Sequence, residues 1–153
     1  MSFNNQDALE ALAQELKIDL FFNKNGVCDF VIDGAEVTLE GEPKARELRI
    51  NAVVGPLADP EDPVALITLL HANFNGQGVG ASSLGIDHES GEVVLGQSVN
   101  VAQLGDDGLA PVIEDFANYL MYWRQNLGRL VERARGGAAP QGEPLEGHAF
   151  VRV

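Results

Sequence analysis

The residues best able to do chemistry in this 153-residue chain are three histidines, one cysteine and a few small groups of acids. Their spacing argues against the reactions such residues usually support. His71, His88 and His148 stand far apart, with no H-x₃-H or C-x₂-C pair to hold a metal. His71 falls on the polar-tending edge of a helical stretch and reads as a packed or partly exposed histidine, not a base. Cys28 falls in an apolar strand pattern and reads as core, not nucleophile. The run Gly76-Gln77-Gly78-Val79-Gly80-Ala81 has the glycines of a phosphate loop without its setting. A dinucleotide fingerprint follows a strand and opens a helix; this run follows a helix and opens a strand, with no lysine beside it. Asp59, Glu61 and Asp62 are separated by Pro60 and Pro63 and lack the 12-residue calcium-loop pattern. Asp87, His88 and Glu89 are the compact cluster best suited to acid–base work, but they share one hairpin turn, a poor place to exclude water. The expectation is therefore no catalytic residue, no metal, no cofactor and no enzyme. A small α+β enzyme stays open as an alternative, because the pairing of carboxylates is spatial.

Positioning such residues would fall to one domain of ordinary globular composition. No run of 18 apolar residues suggests a transmembrane helix, and the N-terminus MSFNNQDALEAL lacks the pattern of a secretory signal. A single cysteine excludes an internal disulfide. These features together suggest a cytoplasmic protein. The net charge is −13. Residues 1–115 carry −15 and residues 116–153 carry +2. An acidic body of this kind disfavours nucleic acid and anionic membrane and permits a basic protein partner. Solubility alone would also account for it.

The pattern predicts the order α-β-β-β-α-β-β-α: an α+β fold, with an antiparallel sheet flanked by three helices. The first helix runs from Asn4 or Asn5 to about Lys17, with Asn5 as its cap and Leu9, Leu12, Ala13 and Leu16 on one face. Asp19 to Phe22 reads as extended. Cys28–Ile32 and Ala35–Leu39 flank Asp33-Gly34, a favoured type I′ pair. Glu47–Val54 alternates with Leu48, Ile50, Ala52 and Val54 inward. After a proline-rich loop, Asp62 caps a central helix with Pro63 at its first position; it ends near Asn73. Asn75 to Gly80 reads as loose. A second hairpin pairs Ser82–Asp87 with Glu92–Gln97. In the last helix, Leu109, Ile113, Phe116, Leu120, Trp123, Leu127, Leu130 and Ala134 form a seam spaced 4, 3, 4, 3, 4, 3, 4, read as packing on the sheet in preference to a coiled coil. Residues 1–135 then form one domain. Residues 136–153, GGAAPQGEPLEGHAFVRV, form a flexible Gly/Pro-rich tail whose apolar end, Ala149 to Val153, could add to a sheet edge.

The central helix carries more apolar surface than a small monomer needs. Stepping about 100° per residue, Ile67, Phe74, Leu70, Leu66 and Leu69 spread over roughly 160°, and Val64 widens the arc to roughly 220°. One core needs a stripe of about 100° or slightly more. No Asp, Glu, Lys or Arg lies between Asp62 and Asp87. Two burial surfaces follow: the chain's own sheet and a second chain.

The element order and acidity, with Asn25-Gly26-Val27-Cys28 leading into the sheet, Leu69-Leu70-His71-Ala72-Asn73 ending the central helix, the Gly80–Leu84 stretch, and Phe116 and Trp123 on a long last helix, resemble the class I type III secretion chaperones of the Tir-chaperone (CesT-like) family. The resemblance covers roughly residues 4–134. It implies a homodimeric chaperone, in the cytoplasm of a Gram-negative bacterium, that neither hydrolyses ATP nor inserts in membranes. Such a chaperone binds the N-terminal non-globular segment of a secreted effector and keeps it soluble and secretion-competent. The ATPase of the secretion apparatus is a further implied partner. The alternative on the same fold is a regulatory protein that sequesters a small regulator of the secretion system. The dimer contact is expected at Leu66, Ile67, Leu69, Leu70, Phe74, Val93 and Leu95. The effector grooves are expected on the first helix and sheet, with Phe21, Phe22, Phe30 and Val37 as contacts.

Overall fold

The computed structural model describes residues 3–136; the tail expected over 136–153 lies outside the described residues from residue 137 on. The expected order is present: α1 (Asn5–Leu16), β1 (Val27–Ile32), β2 (Ala35–Glu40), β3 (Glu47–Pro56), α2 (Pro63–Asn73), β4 (Ser83–Ile86), β5 (Glu92–Asn100) and α3 (Ala110–Arg135). Short 3₁₀ turns at Phe74–Gly76 and Val101–Gln103 were not expected. The strands form one antiparallel sheet in the order β1-β2-β3-β5-β4, so β1 and β4 are its edges. The chain forms two compact units: residues up to Ala52 with Gly96–Asn118, and Val53–Leu95 with the chain from Tyr119 onward.

In the first unit, Asp33 (φ 51°) and Gly34 (φ 81°) take the positive angles a type I′ turn requires. The turn sets the register, which pairs Ile32 with Ala35 and Phe30 with Val37. Alternation then buries Cys28 and Phe30 of β1, Ala35, Val37 and Leu39 of β2, and Leu48, Ile50 and Ala52 of β3. One expectation is corrected at α1. Asn4, not Asn5, is the cap: its side chain accepts the Asp7 N–H at 2.9 Å while Asp7 accepts the Asn4 N–H at 3.0 Å. Asn5 is instead fully buried, and its amide donates to the carbonyls of Glu42 and Glu47 at 2.8 Å each. A buried amide must be paired, and pairing it across the β2–β3 turn ties α1 to the sheet. Asp19 to Phe22 forms no strand.

In the second unit, Asp62 and Pro63 start α2 as expected, with Asp62 accepting the Val64 N–H at 3.0 Å. The stretch after α2 is not loose. Its N–H groups bond in succession, Gly78 to Ala72 O at 2.8 Å and Gly80 to Gly76 O at 2.8 Å. Trp123, fully buried on α3, donates its indole N–H to Gly78 O at 2.8 Å. Gly80 has φ 62°, and a Cβ there would lie 2.7 Å from the Tyr119 ring. The glycine run is thus a close-packed turn between α2 and β4. The α3 seam is buried at seven positions from Leu109 to Leu130, and Ala134 is half-buried. It is therefore used within the chain, not offered as a coiled coil.

Candidate interaction surfaces

In each small polar group the aspartates accept backbone N–H groups of their own turn or helix start. The Asp87 carboxylate accepts the Glu89 N–H at 2.9 Å and the Ser90 N–H at 3.4 Å. These two bonds hold its pKa below the usual carboxylate range and close the hairpin turn; His88 and Glu89 are exposed beside it. Asp62 is pulled down by its hydrogen bond to Arg135 of α3. Among the described residues, no three His, Cys, Asp or Glu converge as metal ligands. Cys28 is buried, and burial pushes its thiol up, partly offset by the Phe21 N–H. We expect the native thiol to resist an aromatic disulfide reagent and to react fully once urea unfolds the chain. Rapid labelling of the native protein would contradict its place in the core.

The apolar surface is more informative. On α2 the face turned to the core consists of Ala65, Thr68, Leu69 and Ala72. The small residues let the helix lie close, and they leave its bulkier side chains outside. Leu70 is 67% exposed, Ile67 51%, and Phe74, just past the helix end, 64%; Leu66 is half-buried. Leu69, Val93 and Leu95 are covered by the chain itself. Of the residues expected at a dimer contact, those three are corrected to core. Helical phase removes Leu69 from the outer face, and strand alternation removes the other two. Asn73 closes the far edge of this unit: its side-chain amide accepts the Leu84 N–H at 2.8 Å and donates to Leu84 O at 2.9 Å. The β4 edge is therefore occupied at Leu84.

Among the described residues, nothing but β2 pairs with β1 over its second half. Asn23 N–H bonds Val27 O at 2.8 Å, and Asn23 Oδ1 accepts the Val27 N–H at 3.0 Å. Because Val27 points both backbone groups away from β2, alternation turns those of Asp29 and Val31 outward as well. Val31 is 62% exposed and Phe21 73% exposed, and Ile18 is partly exposed in the same unit. Phe21 lies at the surface, and Phe22 is half-buried. Phe30 and Val37 are corrected to core: they are register partners on the inward face. Val31 and Ile18 are exposed apolar residues that the sequence reading did not single out. Their signal was legible, an apolar residue on the wet parity of β1 and another just after α1. A groove of about 440 Å³ in the same unit is lined by Leu12 and Glu15 of α1 and by Leu104, Asp106 and Asp107.

No helix among the described residues is long and apolar enough to cross a membrane. Several solved structures share the fold. The ExsC–ExsE complex matches with a TM-score of 0.67 at 18% identity, over 83% of this chain and 97% of that chain. The Yersinia pestis type III secretion chaperone SycH, in complex with a stable fragment of YscM2, gives 0.61 at 21%, over 78% and 99%. The HopA1–SchA chaperone–effector complex gives 0.59 at 22%, over 80% and 91%. No individually curated protein matches the sequence. The sequence profile of the Tir chaperone protein (CesT) family matches residues 7–124, a span from the first turn of α1 to the middle of α3 that includes the whole sheet. With most of the chain matched, this protein belongs to the Tir chaperone protein (CesT) family.

Proposed function

We propose that this protein is a type III secretion chaperone. It binds the N-terminal non-globular segment of a secreted effector, as a homodimer in the bacterial cytoplasm, and keeps that segment soluble and secretion-competent. It carries out no reaction of its own, and the ATPase of the secretion apparatus is its onward partner. The observation that carries this reading is the β1 edge, with outward backbone groups at Asp29 and Val31 and bulky apolar side chains at Phe21 and Val31. An extended segment can pair with such an edge through its main chain and place side chains on the flanking apolar groups. Family membership and complexes such as HopA1–SchA and ExoU–SpcU support the same reading. Ordering a non-globular segment costs free energy, so a large apolar contact is needed to offset it.

The dimer rests on Ile67, Leu70 and Phe74, whose exposure leaves an apolar face that a second copy would cover. The edge is tested by Val31→Asp. A charge at that position is expected to weaken client binding about tenfold or more, the loss of one apolar anchor, and to leave melting temperature and dimer mass unchanged. Calorimetric titration with the client's N-terminal segment measures it, and unaltered affinity would remove β1 from the binding surface.

A further inference from the structure

The second unit holds a groove of about 710 Å³ between the stretch Val54–Pro63 and the last three turns of α3. Pro56, Leu57, Leu127 and Val131 give it apolar walls, and Asp59 and Arg135 also line it. Gly128 opens onto it. A Cβ at that position would meet nothing within 4 Å. Glycine inside a helix costs about 1 kcal/mol relative to alanine, and no described neighbour requires the missing side chain. Bare backbone at such a point allows another chain to come close.

We propose that the occupant is this chain's own C-terminal segment, Ala149-Phe150-Val151-Arg152-Val153. Arg135 lines the groove and the chain leaves α3 at Gly136, so the seventeen residues that follow begin beside it. The spacer from Gly137 to His148 reaches at most about 40 Å. The groove extends along α3 from Arg124 to Arg135, about 17 Å. The spacer therefore covers it, and a tether of this length supplies a local concentration on the order of millimolar. Phe150 and Val151 match the apolar walls. Arg152 matches Asp59, which has no cation partner among the described residues. This inference stands on the groove and the tail, whether or not the protein carries an effector.

A nitroxide on Gly147→Cys in the full chain tests it, since buried Cys28 leaves the new thiol as the labelling site. In the isotope-labelled protein, the amide signals of Leu57 and Gly128 are expected to lose about half their intensity or more, as millimolar tethering implies. Phe150→Asp with Val151→Asp should restore them. Gly128→Leu should also abolish the contact by filling the groove, and Gly128→Ala should preserve the fold. The proposal is overturned if the two amides are not selectively broadened, or if broadening survives Phe150→Asp with Val151→Asp. It is also overturned if broadening appears in isotope-labelled chains mixed with separately spin-labelled ones, which would assign the groove to a second copy.

Discussion

Leu70→Asp is expected to convert the proposed homodimer into soluble, folded monomers. Leu70 is largely exposed in the single chain, so the substitution costs the protomer little. In a two-fold dimer every contact occurs twice. Losing a buried leucine removes about 1.5–3 kcal/mol per copy, so dissociation strengthens on the order of 10² to 10⁴. Light scattering should read half the dimer mass, with an unchanged circular dichroism spectrum. Leu69→Asp, one residue away, should behave differently. Leu69 is 4% exposed, about 100° round α2 on its core-facing side, so a carboxylate there is buried without a partner and the chain should misfold or aggregate. Soluble dimers from Leu70→Asp would remove this face from the interface.

Trp123→Ala should give the largest loss of stability. The ring is fully buried, meets Tyr122 edge-on at 5.7 Å between centroids, and fixes the glycine turn through Gly78 O. Truncating a buried tryptophan costs about 3–5 kcal/mol, or a melting point lower by about 10 °C for a domain of this size. Trp123→Phe separates the two contributions. It keeps much of the ring volume but leaves the Gly78 carbonyl without its donor, so a smaller loss of about 1–2 kcal/mol is expected. Calorimetry on the three proteins ranks them; equal melting points for Trp123→Phe and wild type would show that the hydrogen bond contributes nothing.

Local chemistry made most of the fold legible. The limits of α2 followed from Asp62-Pro63 and the charge-free run behind it, and the first hairpin from Asp33-Gly34. The α3 seam followed from its spacing, which the core uses from Leu109 to Leu130. Where two neighbouring residues could serve one role, pattern did not decide. Asn4 and Asn5 are equally good caps, and only the carbonyls of Glu42 and Glu47, distant in sequence, draw Asn5 inward. The interaction surfaces were less legible for the same reason. An over-wide apolar helix announces a second surface but not its phase. That phase is set by which side fits against the rest of the unit, and the small side chains of Ala65 and Ala72 fit there. Aromatic concentration pointed to Phe30 and Val37, while the hairpin register sends both inward and leaves Val31 outside.

The most direct test is to purify the tagged protein from its native bacterium and digest the bound material with protease. Mass spectrometry then identifies which part of the client survives. The expected result is a secreted effector protected only along an N-terminal, non-globular segment, with that protection lost in Val31→Asp while the dimer persists. A client held through a folded domain, a small regulatory protein in place of an effector, or protection indifferent to Val31→Asp would contradict it.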